Sequence, residues 1–139
     1  MRPKTFNYDR LVKSEDLNHH RTLFAGRCAE WFVEAGFIAA ASVLPPHNVV
    51  CLKIHGLSFT HPIKPGEITC FKSKIVHTGR SSLKVYVSLN VHNDPTPVVK
   101  GFITFVNVDE DGKAKPHNLR LELSDPEEIE LNRQAAKLN

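Results

Sequence analysis

One segment of the chain, residues 18–41, constrains the fold more than any other. It begins as a polar loop with two histidines, passes through a step of small residues at Ala25-Gly26, and continues as a long apolar helix. Three charged side chains, Arg27, Glu30 and Glu34, fall at positions i, i+3 and i+7, so they share one narrow stripe of that helix. Because a surface helix gives about half of its circumference to polar residues, this helix is predicted to be covered on nearly every side.

In the sequence, alternating patterns typical of strands lie before and after the helix. The helix itself is predicted over residues 23–43, because Pro45 and Pro46 cannot continue it. Residues 83–91 alternate strictly between apolar and polar side chains, which is typical of a strand with one buried face. In chain order, the predicted strands cover residues 6–12, 49–60, 67–77, 83–91 and 98–108.

The C-terminal part of the chain predicts a second helix. Residues 124–127 read Ser-Asp-Pro-Glu, which combines a capping side chain with a proline at the first helical position. A polar helical extension over residues 124–139 should follow. With 139 residues and no repeats or linkers, residues 1–139 are predicted to form a single domain.

Composition narrows the class of protein and its location. A hydrophobic fraction of 41% and a charged fraction of 24% are typical of a soluble globular domain. The longest apolar run, near residues 35–41, is too short to span a bilayer, and the first residues lack the apolar core of a signal peptide. We therefore expect a protein with no membrane partner that is cytoplasmic, or that has been processed if it belongs to a eukaryotic organelle. Cys28, Cys51 and Cys70 are odd in number and lie in apolar segments, which predicts reduced core cysteines.

Charge and motif spacing exclude several kinds of partner. The formal net charge of +3 is spread along the chain, and no basic stripe alternates with exposed aromatic residues, so nucleic acid is not an expected partner. A small anionic ligand suits the same charge. His19 and His20 lack the spaced histidines or cysteines that a metal site requires. No metal and no redox cofactor is therefore predicted.

The order of elements predicts an α+β architecture. One helix that is apolar almost all round, followed by long antiparallel strands, is best buried when the sheet curls around the helix. This arrangement is the hotdog fold. Such a sheet leaves one face and one edge uncovered, so self-association is expected, as a dimer at least and as a tetramer or hexamer if dimers assemble further.

The chain resembles a known family over about residues 8–116. It is similar to the hotdog-fold acyl-CoA thioester hydrolases, the cytosolic long-chain or broad-range acyl-CoA hydrolase group. The resemblance rests on Asn18 with Phe24-Ala25-Gly26 before the helix, Phe59-Thr60-His61-Pro62, Pro65-Gly66-Glu67 before the third strand, the turn at residues 78–82, and residues 108–113 with Pro116.

The resemblance implies thioester hydrolysis, with one departure from the family pattern. Counted from the glycine step, the family's acidic residue falls at Val33, which cannot act as an acid or base, and Glu34 is its neighbour. Either Glu34 supplies the carboxylate or catalysis is weakened or lost. The alternative function is a non-catalytic module that binds acyl-CoA and regulates. A hydratase of the same fold is disfavoured, because no Asp-x-x-x-x-His pair lies at the start of the helix.

Three residues are candidates for the chemistry. Glu34, among apolar neighbours, would be partly desolvated and act as the base, although it could instead pair with a cation across a subunit contact. Gly26 lies where helix N–H groups lack partners, so it is the candidate oxyanion donor, unless it only permits close packing. By resemblance, Asn18 orients the water or the carbonyl, whereas an Asn in a loop otherwise serves a turn.

The substrate's coenzyme A part needs polar and cationic groups. Arg80, Ser81 and Ser82 lie in a turn at a strand start and could hold a phosphate or the pantetheine. His20 flanks Asn18, and Lys113 lies in the closing loop. Each of these side chains could instead be a solvated surface group, which is the favoured interpretation for Lys113. The resemblance places the site across a dimer contact, so Asn18 and Glu34 can come from different subunits.

Overall fold

The computed structural model describes all 139 residues as one antiparallel sheet with a long helix across it. The predicted architecture, a sheet around a central helix with a polar C-terminal helix, is confirmed. The strands are β1 (Phe6–Leu11), β2 (Val49–His55), β3 (Ile68–Thr78), β4 (Ser82–Val91) and β5 (Val99–Asn107), and the helices are α1 (Ala25–Ala41) and α2 (Pro126–Ala136).

Strand β2 lies at one edge of the sheet. The spatial order is β1-β3-β4-β5-β2, so β2 pairs with β5 and not with β3, which follows it in the chain. The predicted strand over residues 49–60 is too long, because it ends at His55 and Gly56 adopts a φ of +75°. A positive φ interrupts a strand and is readily adopted only by glycine. Residues 56–67 then carry the chain across to β3.

Helix α1 packs on the sheet through large aromatic and small aliphatic side chains. Trp31 and Phe32 are fully buried, and Ala39 and Ala40 are buried beside them. At Gly36 an added Cβ would lie 2.8 Å from Cδ1 of Ile103 on β5. The small residues therefore let the helix backbone approach the sheet closely, which fixes the position of the charged stripe on the opposite side of the helix.

The expectation that α1 is covered on nearly every side is wrong for the single chain. Five strands curl over only one side of the helix, and Glu30, Glu34 and Ile38 on the other side are exposed. The neighbouring edge strand β2 is also apolar and exposed, with Leu52 68% exposed and Val50 47% exposed. Together these side chains form an uncovered apolar surface that one chain cannot bury.

Helix α2 covers part of the outer face of the sheet. Asp125 caps it by accepting a 3.1 Å hydrogen bond from the N–H of Glu127, as the sequence predicts. The buried amine of Lys84 on β4 donates to the carbonyl oxygens of Ala135 and Leu138 at 2.9 and 2.8 Å. A cation at the C-terminal end of a helix satisfies unpaired carbonyls and the negative end of its dipole.

The three cysteines are free thiols in different environments. Cys28 on α1 is buried, as predicted, and burial raises the pKa of its thiol to about 12. Cys70 is partly buried. Cys51 is exposed, so the prediction that it is a core cysteine is wrong, because its strand is at the sheet edge. Neither helix combines the length and apolar character needed to cross a membrane.

Candidate active site

A buried acid holds the segment that leads into α1. Asp16 is 3% exposed, and its Oδ2 accepts a 2.9 Å hydrogen bond from the N–H of Lys13. Its Oδ1 lies 3.3 Å from Nε of Arg27 in the first turn of the helix. The carbonyl of Asp16 also accepts from the N–H of Phe24 at 2.9 Å. Asp16 was not predicted from the sequence, although an acid that precedes a helix with an arginine in its first turn is a recognisable signal.

Asn18 both stabilises its own loop and lines a cavity. Its Oδ1 accepts from the N–H groups of His20 and Thr22 at 2.8 and 3.2 Å, and its Nδ2 donates to Oγ1 of Thr22 at 3.1 Å. Asn18 therefore does stabilise a turn, which is the alternative role expected of an Asn in a loop. Asn18 also borders a cavity of about 220 Å³ together with Ala25 and residues 59–63, so two segments of the predicted motif set meet there. His20 is exposed beside it.

The first turn of α1 presents unpaired N–H groups. Those of Ala25, Gly26 and Arg27 donate no hydrogen bond within the chain, and no side chain caps the helix. An added Cβ on Gly26 would lie 2.6 Å from Cε2 of Phe24, so a larger residue would displace that exposed ring from the turn. Both interpretations of Gly26 are compatible with this geometry, since close packing and an open N–H occur together.

Glu34 stands at the edge of an apolar hollow. Its Oε1 accepts a 2.9 Å hydrogen bond from the hydroxyl of Tyr8 on β1, and that hydroxyl oxygen accepts from Arg10 at 3.0 Å. The hollow has a volume of about 360 Å³ and is lined by Tyr8, Val33, Glu34, Phe37, Ile38, Cys51 and Phe105. In the single chain Glu34 is exposed and its partner is a tyrosine, so the expected desolvation requires a neighbouring copy. Glu30, one turn earlier, pairs with Arg27 at 3.5 Å.

The predicted coenzyme A residues gather at another place. Ser81 and Ser82 line a cavity of about 660 Å³ whose rim includes Gly112 and Ala114, the two neighbours of Lys113. The carbonyl of Ser82 accepts from Nε2 of His117 at 2.9 Å, which fixes the turn. The hydroxyls of both serines make no hydrogen bond in the chain, and Arg80 and Lys113 are exposed. The cavity also contains Lys53 and Lys84, which sequence analysis did not select.

Three parts of the predicted site do not converge within one chain: the start of α1 with Gly26, the carboxylate of Glu34, and the turn with Arg80. Gly26 and Glu34 are eight residues apart on α1, which is about 12 Å along the helix axis. The segment before β3 holds the start of α1, because the N–H of Leu23 donates to the carbonyl of Ile63. The turn with Arg80 follows the other end of β3, a strand of 11 residues that spans about 35 Å. A single chain therefore holds the parts of a site without assembling them.

The fold agrees with comparisons to known proteins. The sequence pattern of the thioesterase superfamily matches residues 20–98, which is more than half of the chain. The chain belongs to the thioesterase superfamily. The family resemblance found in the sequence motifs is therefore confirmed.

Individual relatives carry more specific names. The chain is 29% identical over 105 residues to the uncharacterized acyl-CoA thioester hydrolase YkhA of Bacillus subtilis. That match covers 73% of this chain but 60% of YkhA, so this chain spans less than two thirds of that relative's length. A crystal structure of an apo-hexameric acyl-CoA thioesterase is similar with a TM-score of 0.84 at 30% identity, covering 95% of this chain and 86% of that one.

A second similar structure contains ligands. The acyl-CoA hydrolase of Staphylococcus aureus, in complex with butyryl coenzyme A, coenzyme A and coenzyme A disulfide, has a TM-score of 0.82 at 26% identity. The similarity covers 96% of this chain and 80% of that one. Variants of that enzyme replace an Asn or an Asp by Ala, at positions fifteen residues apart. Fifteen residues after Asn18 this chain has Val33, followed by Glu34.

Proposed function

We propose that this protein hydrolyses acyl-CoA thioesters to free coenzyme A and a carboxylic acid. Membership of the thioesterase superfamily and the acyl-CoA hydrolase names of its relatives support this proposal. The observation that carries it is the position of Glu34. Its carboxylate lies at the edge of an apolar hollow and supplies a base. The unpaired N–H groups in the first turn of the same helix supply anion-binding groups.

The site is composed of two copies of the chain. An oxyanion donor must lie about 3 Å from the oxygen that it stabilises, whereas Gly26 and Glu34 of one chain are separated by about 12 Å along the helix. A two-fold contact through the exposed β2 edges would extend the sheet and set two α1 helices side by side in opposite directions. The start of one helix can then face Glu34 of the other.

Self-association is part of the proposal. The uncovered apolar surface on α1 and β2 supports a homodimer at least, and the hexameric thioesterase of the same fold supports assembly into a tetramer or hexamer. The same two-fold contact reverses the strand directions of the second copy relative to those of the first. Arg80, Ser81, Ser82 and Lys113 of one copy then lie toward the start of the other copy's helix, where they can hold the phosphates and pantetheine of coenzyme A.

The reaction needs water and no metal or redox cofactor. The Glu34 carboxylate takes a proton from water while the water oxygen bonds to the thioester carbon. The N–H of Gly26 and the positive end of the helix stabilise the developing oxyanion, and Asn18 retains one free Nδ2 hydrogen with which to orient the carbonyl. The carbon–sulfur bond then breaks, the electron pair moves to sulfur, and the proton held by Glu34 completes the coenzyme A thiol.

A non-catalytic acyl-CoA-binding module is the second candidate. It is favoured by Val33, which lies fifteen residues after Asn18, the spacing at which the S. aureus enzyme has an Asp. The apolar hollow could still hold an acyl chain without a base. Under either function the protein is proposed to act in the cytoplasm on a small molecule, and its three free thiols fit a reducing compartment.

Thiol release from acyl-CoA substrates, from acetyl to palmitoyl, distinguishes the two candidates. Glu34→Ala is expected to lower turnover by about a hundredfold or more, with Glu30→Ala as the control because Glu30 is exposed on the same stripe. Equal turnover of wild type and Glu34→Ala would exclude Glu34 as the base. Tight binding of acyl-CoA with no turnover at any chain length would favour the binding module.

A further inference from the structure

Strand β1 reaches the catalytic carboxylate through a chain of hydrogen bonds. Arg10 donates from a guanidinium N–H to the hydroxyl oxygen of Tyr8 at 3.0 Å, and that hydroxyl donates to Oε1 of Glu34 at 2.9 Å. Tyr8 and Glu34 are 26 residues apart in sequence, so the contact exists only because the sheet packs against α1. Neither Tyr8 nor Arg10 belongs to the motifs on which the family resemblance rests.

Both residues of β1 are held by buried aromatic rings. The Tyr8 ring lies 6.1 Å from that of Phe71 on β3, centroid to centroid. The Arg10 guanidinium lies 4.9 Å from the centroid of Trp31, a fully buried residue of α1. Stacking on an aromatic face restricts a guanidinium without removing its donors. The two polar groups therefore sit in positions that the core determines.

The direction of Arg10 is unusual for a charged residue. Along β1 the side chains alternate, and Phe6, Tyr8 and Arg10 form the partly buried face that points toward the helix. Charged side chains of an edge strand usually point to solvent, although an inward charge can also protect a sheet edge from unwanted pairing. That structural explanation accounts for Arg10 alone. It does not account for a donor chain that ends on the one carboxylate beside the hollow.

We propose that Tyr8 is the positioning residue for Glu34, and that Arg10 acts through Tyr8 to aim its hydroxyl at the carboxylate. This inference rests on the proposed hydrolysis. A carboxylate held at one oxygen keeps its other oxygen directed into the hollow, where it can accept the proton of the attacking water. A donor that itself accepts a hydrogen bond from a cation is also strengthened, because hydrogen bonds in a chain polarise one another.

The surroundings of Glu34 contain no other group that could take this role. On its own helix the nearest charge is Glu30, one turn earlier, which Arg27 engages at 3.5 Å. On β2 the hollow presents the exposed thiol of Cys51, which is only a weak hydrogen-bond donor. On β1 the facing groups are Tyr8 and Arg10. Burial, and then the hydrogen bond to Glu34, raise the pKa of the Tyr8 phenol above its usual value.

The kinetic test compares the two tyrosines of the chain. Tyr8→Phe keeps the ring and removes the hydroxyl, and it is expected to lower kcat about tenfold while KM changes less than about twofold, because a misplaced base slows the chemical step. Tyr86→Phe is the control, since Tyr86 lies on the outer face of the sheet near α2. Arg10→Gln is expected to lower kcat less, and to cause no further loss when it is added to Tyr8→Phe.

A titration that does not depend on turnover tests the contact itself. In a Tyr86→Phe background Tyr8 is the only tyrosine of the chain, so tyrosinate absorbance reports its ionisation alone. Glu34→Gln in that background removes the neighbouring anion and is expected to lower the pH at which Tyr8 ionises. An unchanged ionisation of Tyr8 in that variant would overturn the contact between Tyr8 and Glu34 on which the positioning role depends.

The outcomes separate this inference from the proposed function. An active wild type whose kcat is the same in Tyr8→Phe would overturn the positioning role and leave hydrolysis intact. Additive losses in Tyr8→Phe and Arg10→Gln would overturn the route from Arg10 through Tyr8. A wild type that hydrolyses no acyl-CoA would overturn the proposed function and this inference with it, whatever the titration shows.

Discussion

Replacement of Asp16 by Asn should destabilise the protein, because Asp16 is a buried carboxylate in the segment that leads into α1. Asp16 is 3% exposed, and its carboxylate joins the turn that begins at Lys13 to the first turn of α1. Its carboxylate accepts from the N–H of Lys13 and contacts Nε of Arg27, 2.9 and 3.3 Å away. Asn has nearly the same shape, so the variant removes the charge without leaving a cavity.

The expected loss is about 2 kcal/mol in the free energy of unfolding. A hydrogen bond to a charged group is worth about 1 kcal/mol more than one between neutral groups. The pairing with Arg27 adds about 1 kcal/mol or less, because the arginine side chain is 35% exposed and solvent screens it. For a domain of this size the melting temperature should fall by about 6–8 °C.

Thermal unfolding at a fixed protein concentration measures this loss, since association would otherwise shift the transition. Glu15→Gln is the matched control, because Glu15 is the adjacent acid and its ion pair with Lys13 is exposed. The control should change the melting temperature by about 2 °C or less. Equal melting temperatures for the two variants would refute the assignment of Asp16 as the residue that fixes the start of α1.

Two further predictions concern the assembly and the response to pH. Leu52→Glu should dissociate the proposed oligomer, because Leu52 is 68% exposed on the apolar β2 edge. Sedimentation velocity should then show single chains. Ile129→Glu on α2 is the control and should keep the wild-type mass. Burial, and then the nearby Lys53 and Lys84, lower the pKa of His55 in the folded state. The unfolded chain therefore binds the proton at a higher pH, and stability is lost as pH falls below about 6.5. His55→Gln should reduce that loss when urea unfolding is compared at about pH 5.5 and about pH 7.5; an unchanged difference between the two pH values would contradict the assignment.

Local pattern was sufficient for most of the fold. Helix α1 is apolar and is followed by Pro45 and Pro46, and β4 alternates strictly, so each of these elements is determined by its own residues. The end of β2 was missed because residues 49–60 continue to alternate past Gly56, while the backbone turns there. The pairing of β2 with β5 has no local signal, because it depends on how the whole sheet closes over the helix.

The site was less predictable than the fold because its contacts join distant segments. Asn18, Gly26 and Glu34 could be selected from one stretch of sequence that enters and forms α1. Tyr8 could not be linked to Glu34 in the same way, since their contact requires β1 to pair with β3 in the observed register, with Tyr8 opposite Phe71. The period of two does place Tyr8 and Arg10 on one face of β1, and that face could have been identified as the one toward the helix.

If the proposed base is Glu34 and not an acid at Val33, the difference of one residue has a geometric consequence for the chemistry. Successive residues of an α-helix are rotated by about 100°, so a carboxylate at Glu34 leaves the helix in a different direction from one at Val33. Val33 lies half-buried on the hollow, whereas Glu34 is exposed and turned toward β1. A carboxylate in that direction can serve the hollow only if something holds it there, and the hydroxyl of Tyr8 is the group in contact with it. Under the proposed function, Val33 and Tyr8 are therefore understood together: the base lies one residue further around the helix, and the tyrosine of β1 directs it back toward the substrate.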